Sequence, residues 1–108
     1  MEEPLEITDA NFKTEILDSD IPAMVDFGAV WCPPCRALEP IIKDLAGEYS
    51  GRVKIGKVNV DTCRETAGQF GIMNVPTIIF FNKGLEIERM VGLKSKETIK
   101  AKLDTLMD

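Results

Sequence analysis

The sequence predicts an α/β protein in which strands and helices alternate and the last two strands form a hairpin. Three observations support this prediction. Apolar positions switch repeatedly between strand-like and helix-like spacing along the chain. Ala23–Gly28 is a largely apolar run, as in strands covered on both faces. Residues 82–84, Asn-Lys-Gly, have the composition of a tight turn between antiparallel strands. We therefore expect a sheet of mixed pairing with helices on both faces.

The first elements are a short strand and a helix. Residues 5–8 alternate as a short strand does, and residues 9–17 place Phe12 and Ile16 on one helical stripe. The second strand, at residues 23–28, follows a Pro-containing break.

A long helix is predicted over about residues 32–49, because apolar side chains recur there at helical spacing. Pro40 lies inside it and lacks the N–H that its turn needs, so we expect a kink at that point. The third strand follows at about residues 53–60.

A short helix is predicted to run from Cys63, at its first position, to about residue 70. Thr62 and Glu65 have the spacing of a capping box, in which each side chain satisfies a free backbone donor of the other residue. This box is expected to open the helix.

The last elements are two strands and a helix. Residues 77–81 are strongly β-prone and the turn leads into a strand at residues 85–91. Ser95 is placed to cap a final helix, whose inward-facing side chains are Ile99, Leu103 and Leu106.

Composition limits the class of protein. The chain has 108 residues, without a repeat or linker, which predicts one domain spanning residues 1–108. Its net charge of −5, with scattered basic residues, argues against nucleic acid or anionic membrane as a partner. The acidic start, residues 1–4, leads into no apolar targeting segment, so we expect a cytoplasmic protein. The absence of histidine excludes Cys/His dyads, Ser/His/Asp triads and His-containing metal sites.

The motif with the clearest chemistry is the pair Cys32 and Cys35, which follows a strand and opens a helix. Free N–H groups and the positive end of the helix dipole favour a thiolate there. We expect Cys32 to be the nucleophile, and Cys35, one turn into the helix, to be less exposed and more thiol-like. The competing interpretation is half of a metal site, which three cysteines without histidine would complete only with unusual ligands.

Together with this order of elements, several residues and motifs form one pattern: Phe-Gly-Ala-Val-Trp-Cys-Pro-Pro-Cys at residues 27–35, Val-Pro-Thr at residues 75–77, Asp26, Pro40 and Gly92. With this pattern, the chain resembles the thioredoxin family over essentially its whole length. The resemblance implies a three-layer thioredoxin fold, with a central mixed five-stranded sheet flanked by four helices. It also implies that residues 32–35 are a Cys-Pro-Pro-Cys variant of the family's active site. The chain departs from the family pattern at Pro33, usually glycine, and at residue 28, often tryptophan, where it has glycine.

By resemblance, the chain is a protein-disulfide reductase, an enzyme of thiol-disulfide exchange. Cys32 thiolate attacks a substrate disulfide, and Cys35 resolves the mixed disulfide. The implied partners are a thioredoxin reductase and disulfide-containing protein substrates, and we expect a monomer without a bound cofactor or metal. A disulfide oxidase or isomerase, and a non-catalytic thioredoxin-like binding module, are the alternatives.

Asp26 interrupts a strand that should exclude charge, and burial would raise its pKa. The resemblance makes it the proton acceptor that helps to ionise Cys35, with Lys57 as the nearby cation. Alternatively, Asp26 faces water at a strand edge.

The substrate surface implied by the resemblance is a shallow apolar rim. It includes Trp31, Met73, Val75, Pro76 and Gly92, with a cis bond before Pro76 that presents the Val75 backbone to an extended substrate. The alternative interpretations are that Trp31 lies in the core, that Pro76 is an ordinary proline at the start of a strand, and that Gly92 is a turn glycine.

Predictions also follow for the two prolines of the motif and for the third cysteine. Pro33 stiffens the loop and removes an N–H group, so we expect it to change the reduction potential, without a predicted sign. Pro34 is assigned to redox tuning together with it. Cys63 is expected to be an inert packing residue, with a regulatory thiol as the alternative.

Overall fold

The computed structural model describes residues 3–107, so Met1, Glu2 and Asp108, including part of the acidic start, lie outside the described residues. The strands are β1 (Leu5–Ile7), β2 (Ala23–Gly28), β3 (Lys54–Asn59), β4 (Thr77–Asn82) and β5 (Leu85–Val91). The helices are α1 (Lys13–Leu17), α2 (Pro33–Glu48), α3 (Arg64–Gln69) and α4 (Lys96–Leu106). Within residues 3–107 no helix has the length and apolar character that crossing a membrane requires.

The five strands form one mixed sheet in the order β1-β3-β2-β4-β5. β1, β3 and β2 are parallel, β4 is antiparallel to β2, and β5 is antiparallel to β4. Gly28 pairs with Asn59 at the carboxyl ends of β2 and β3, and Phe27 pairs with Thr77 at the start of β4. Three loops therefore meet at one edge of the central sheet.

Alternation along β2 divides the core between the two faces of the sheet. Met24 packs with side chains of α2 and α4, whereas Val25 packs on the other face with Ile16 of α1. Because side chains of a strand alternate, Asp26 shares the face of Met24 and points toward α2. The sequence-based prediction of a mixed sheet covered on both faces is confirmed.

Local sequence explains two element ends that were predicted correctly. Lys83 and Gly84 have φ angles of 53° and 81°, the left-handed conformation that a tight hairpin turn requires. At α4 the Ser95 hydroxyl accepts a hydrogen bond of 3.2 Å from the Thr98 N–H. Pro40 does lie inside α2, and the kink predicted there stays a prediction.

The first helix is shorter than predicted. It begins at Lys13 rather than at residue 9 and is wound as a π-helix, with the Asp18 N–H donating to the Lys13 carbonyl at 2.9 Å. The reason is local: the Asn11 side chain accepts a 2.7 Å hydrogen bond from the Thr8 N–H and holds the preceding residues in a turn.

The predicted capping box at α3 is wrong. Cys63 is the residue before the helix rather than its first residue, and the Thr62 hydroxyl donates to the Asn59 carbonyl at 3.4 Å. The cap comes from Asp9, 57 residues earlier, whose Oδ1 accepts from the Thr66 N–H at 2.8 Å and from the Thr66 hydroxyl at 2.7 Å. These bonds hold the pKa of Asp9 below its usual value.

Gly56 lets β1 approach β3 closely. A Cβ atom at this position would lie 2.6 Å from Ile7 Cγ1, closer than side-chain atoms approach one another. Ile7 itself is buried in the core on the α1 side of the sheet. The missing side chain at residue 56 therefore makes room for the one buried side chain of β1.

Candidate redox site

The two cysteines of the motif form a disulfide at the start of α2, with their Cα atoms 5.2 Å apart. Cys32 precedes the helix in an extended conformation, and Pro33 is its first residue, where a proline is tolerated. Cys32 Sγ accepts a 3.2 Å hydrogen bond from the Cys35 N–H. The predicted position of Cys32, at the free N–H groups of a helix start, is confirmed.

The prediction that Cys35 is less exposed than Cys32 is wrong for the disulfide form, because Cys32 is 3% and Cys35 5% exposed. Their surroundings differ instead. Cys32 Sγ lies 3.8 Å from the Val75 carbonyl oxygen, in the loop before β4. A Cβ atom placed on Gly28 would lie 3.4 Å from Cys35 Sγ, so that sulfur faces the end of β2.

Asp26 is buried in the central strand, with 6% of its surface exposed, which excludes the strand-edge interpretation. Within residues 3–107 its Oδ1 has no hydrogen-bond partner. Burial raises its pKa to about 7, Lys57 opposes this rise, and Glu39 adds to it. Lys57 pairs with Asp26 across β2 and β3, as expected of a nearby cation. The site therefore combines a redox-active pair with a carboxyl that titrates near neutral pH.

The surface beside the disulfide is largely apolar. Trp31 is 63% and Met73 89% exposed, so Trp31 is not a core residue. Val75 and Gly92 are half-buried, and the Gly92 N–H donates to the Pro76 carbonyl at 2.8 Å. The Val75-Pro76 bond is cis, as the resemblance implies. Pro76 is buried, so its ring lies behind the predicted rim rather than on it.

Asp61 belongs to the site, although the sequence-based reasoning missed it. Its Oδ2 accepts a 2.8 Å hydrogen bond from the Trp31 indole Nε1–H, 30 residues away along the chain. Asn59 Oδ1 in turn accepts from the Asp61 N–H at 2.9 Å. The available signal was the polar turn directly after β3, since parallel neighbours β2 and β3 end at the same edge of the sheet.

Cys63 lies apart from the disulfide, in the core on the α1 and α3 side of the sheet. Its Sγ is 3.6 Å from the Ile7 carbonyl oxygen, and only 4% of the residue is exposed. These contacts agree with a packing role for this thiol, because oxidants reach buried thiols poorly.

A closed disulfide at a helix start, next to an open apolar surface, is suited to exchange with the disulfide of another molecule. This geometry defines the class of thiol-disulfide oxidoreductases.

Comparison with known proteins identifies the family within that class. The family model described as Thioredoxin matches residues 3–105. Thioredoxin 2 of Chlorobaculum tepidum is 50% identical over 99 residues, which cover 92% of this chain and 91% of that protein. Thioredoxin 1 of Nostoc sp. is 41% identical over 99 residues, with 92% of both chains covered. Thioredoxin 1 of Synechococcus elongatus is 44% identical over 98 residues, covering 91% of this chain and 92% of that protein.

The chain therefore belongs to the thioredoxin family and has its fold, a mixed five-stranded sheet with four helices. It is an enzyme, a thiol-disulfide oxidoreductase whose Cys32-Cys35 pair serves dithiol-disulfide reduction.

Proposed function

We propose that Cys32 is the attacking thiolate and Cys35 the resolving thiol in the reduction of protein disulfides. The observation that carries this assignment is the hydrogen bond from the Cys35 N–H to Cys32 Sγ, which favours negative charge on that sulfur. Pro33 and Pro34 have no N–H, so Cys35 supplies the first backbone donor within the helix.

The reaction takes two displacements. Cys32 thiolate attacks one sulfur of the substrate disulfide, and the other substrate sulfur leaves as a thiolate. Cys35 then gives up its proton, and its thiolate attacks Cys32 Sγ. The second substrate sulfur leaves with the electron pair, and the Cys32-Cys35 disulfide forms.

Asp26 is the acceptor for the Cys35 proton in this proposal. It faces α2, next to Cys35, and its pKa of about 7 suits proton transfer near neutral pH. Lys57 keeps part of the carboxyl ionised by opposing the effect of burial. Both residues act on the second displacement rather than on the first.

The substrate docks as an extended segment along the Val75 backbone. The Val75 carbonyl oxygen lies 3.8 Å from Cys32 Sγ, so a strand paired there would bring its own disulfide to the attacking sulfur. Trp31, next to Cys32 in the chain, and Met73, two residues before Val75, offer exposed apolar surface, and Gly92 permits close approach. Pro76 shapes this loop from behind.

The wider assignment follows from the family. We propose that a thioredoxin reductase returns electrons to the disulfide, and that residues 1–108 work as one monomeric domain in the cytoplasm. Protein disulfides are the substrates. The Cys-Pro-Pro-Cys sequence adjusts the reduction potential rather than the type of reaction.

A Cys35→Ser variant tests the assignment of the two cysteines. Without a resolving thiol, it should accumulate mixed disulfides through Cys32 when mixed with a disulfide-bearing protein, and reductant should release them. Cys63→Ser is the matched control and should turn over like the wild type. Partners held regardless of reductant would instead indicate the non-catalytic binding module.

Pro33→Gly tests the tuning role of the motif. It restores an N–H at the first helical position and loosens the loop, so redox titration should give a potential different from that of the wild type. Identical potentials would contradict a role for Pro33 in redox tuning.

A further inference from the structure

Met73 is the most exposed large apolar side chain among residues 3–107, at 89%. Met24 is buried in the core, Met90 is half-buried against it, and Met107, directly after α4, is 36% exposed. A thioether reacts with oxidants that can reach it. Met73 is therefore the methionine most open to oxidation in the part of the chain that the structure describes.

The loop around Met73 is anchored on both sides. Before it, the Ile72 N–H donates to the Ala67 carbonyl at 3.0 Å, the bond that closes a helix in a Schellman motif. Ile72 also packs against the core on the α1 side of the sheet. After it, the Thr77 hydroxyl donates to the Asn74 carbonyl at 2.6 Å. The exposed position of Met73 is therefore fixed by its neighbours and is not the result of a loose loop.

Met73 lies on the surface across which substrates are proposed to reach the disulfide. The Val75 carbonyl oxygen is 3.8 Å from Cys32 Sγ, and the Cα atoms of Met73 and Val75 are at most about 7 Å apart, because only two residues separate them. Residues 70–76 include no charged side chain. A partner strand that pairs with Val75 therefore meets an uncharged segment whose most exposed apolar group is the Met73 thioether.

We propose that Met73 is a modification site, at which oxidation of the thioether to the sulfoxide by a peroxide weakens the docking of protein substrates. A sulfoxide is polar, and covering it with an apolar partner that offers no hydrogen-bond donor is unfavourable. The inference rests on the proposed docking of substrates along Val75. It makes the affinity for protein disulfides sensitive to peroxide while the Cys32-Cys35 pair stays chemically intact.

The oxidation is a two-electron step with peroxide as the oxidant. The thioether sulfur attacks one peroxide oxygen, and an S–O bond forms as the O–O bond breaks. The other oxygen leaves with the electron pair, takes the proton from the oxygen now bound to sulfur, and becomes water. In the disulfide form Cys32 and Cys35 have no free thiolate, and Cys63 is 4% exposed, so the cysteines compete poorly for the oxidant.

The direct test treats the disulfide form with hydrogen peroxide, removes the oxidant, and measures reduction of a disulfide-bearing protein with a dithiol reagent as electron donor. Peptide mass spectrometry should find added oxygen on Met73 before Met107. kcat/KM should fall roughly fivefold through a higher KM, because part of an apolar contact is lost. Unchanged kcat/KM with Met73 oxidised, or oxidation of Met107 before Met73, would overturn the inference.

Two leucine variants identify the residue responsible for the loss. Met73→Leu keeps an apolar side chain without sulfur, so peroxide should leave its kcat/KM at the value of its own untreated sample. Met107→Leu is the matched control, because it removes a less exposed thioether at the end of α4, and it should lose activity as the wild type does. Equal losses in Met73→Leu and the wild type would place the damage at another residue and overturn the inference.

A small substrate separates damage to the docking surface from damage to the cysteines. Hydroxyethyl disulfide is too small to cover the loop at Met73, so the peroxide-treated wild type should reduce it at the untreated rate. An equal loss with hydroxyethyl disulfide and with the protein substrate would place the damage at the redox pair, which would also overturn the inference.

Met73→Gln provides a measurement without peroxide, since glutamine is a polar side chain of similar length. It should raise KM for the protein substrate and leave reduction of hydroxyethyl disulfide unchanged. A wild-type KM in Met73→Gln, with mixed disulfides still trapped by Cys35→Ser, would overturn only the role of Met73. Absence of trapping in Cys35→Ser would contradict the proposed function, and this inference would fail with it.

Discussion

Two acidic residues beside opposite ends of α2, Asp26 of β2 and Glu48 of α2 itself, have pKa values shifted in opposite directions. Near the start of α2, Asp26 is buried, its Oδ1 receives no hydrogen bond from the part of the chain that the structure describes, and burial raises its pKa to about 7. At its end, Glu48 is exposed to solvent and accepts hydrogen bonds from Lys96 and Lys100, which lower its pKa to about 2. Desolvation thus raises the pKa of one carboxyl group, and paired cations lower the pKa of the other.

The same end of α2 is also joined to α4 by a hydrogen bond, which we call the clamp. The Tyr49 hydroxyl donates a 2.7 Å hydrogen bond to Asp104 Oδ1 of α4, and Tyr49 is otherwise buried. Glu48 and Tyr49 have hydrogen-bond partners at this end, whereas at the redox end Asp26 Oδ1 has none among residues 3–107. A carboxyl paired with cations and a desolvated carboxyl thus lie beside opposite ends of one helix.

Of the substitutions at the two ends of α2, Asp26→Asn should have the largest effect on the pH dependence of the free energy of unfolding. The folded-state pKa of about 7 lies above the ordinary 3.8, so wild-type stability falls as pH rises through that window and stays lower above it. The full loss is roughly 4 kcal/mol by linkage, and about two thirds of it falls between pH 5 and pH 8. Asn carries no titrating proton, so the variant should be more stable than the wild type at pH 8. Urea unfolding at pH 5 and pH 8 measures this, and parallel pH dependence of both proteins would contradict it.

Lys57→Gln should increase the difference between the pKa values of Asp26 and Glu48. Lys57 lowers the pKa of Asp26, so its removal should raise that pKa further and destabilise the folded state at pH 8 by on the order of 1 kcal/mol. Carboxyl titration by NMR checks the pKa directly. Lys13→Gln, on the other face of the sheet, is the control, and an equal change in both variants would exclude a specific interaction with Asp26.

Tyr49→Phe should weaken the opposite end by about 1 kcal/mol, because it removes a hydrogen bond and leaves Asp104 without that donor. In the wild type, burial and Asp104 raise the pKa of Tyr49 to about 12, so its absorbance should not titrate at pH 11 while the protein stays folded. The free energy of unfolding and an absorbance titration measure the two effects. Titration with an ordinary midpoint near pH 10 would contradict the clamp.

Glu48→Gln should have the smallest effect. The stabilisation from Glu48 is present above its ordinary pKa of 4.5 and is lost as pH falls through about 2. The Glu48 side chain is 37% exposed, and salt screens ion pairs at such positions. The difference in the free energy of unfolding between variant and wild type should therefore be smaller in 1 M salt than at low salt. A salt-independent difference would show that packing rather than charge is responsible.

Short-range patterns predicted most of the fold. The hairpin at Lys83 and Gly84, the cap at Ser95 and the start of α2 at Cys32 depend on residues within a few positions of each other. The Asp9 cap of α3 and the bond between Trp31 and Asp61 could not be predicted, because each joins residues that only the folded sheet brings together.

The candidate redox site shows the same limit. Cys32, Cys35 and Asp26 were predicted from the motif and from a charge inside an apolar strand. The relative exposure of the cysteines was wrong, because the fold covers both sulfurs. The space beside the disulfide, lined by Asp26, Gly28 and Cys35 among others, also depends on how β2 and α2 pack together, which local sequence does not specify.

The close approach of β1 to β3 has a consequence for the natural variation of this family. Since a Cβ atom on Gly56 would lie 2.6 Å from Ile7 Cγ1, residue 56 cannot gain a side chain unless residue 7 moves or becomes smaller. We expect evolutionary covariation: relatives with a side chain at the position of Gly56 should have a smaller residue at that of Ile7. The size of the residue at position 7 of β1 would then vary with the residue at position 56 of β3 among members of the family.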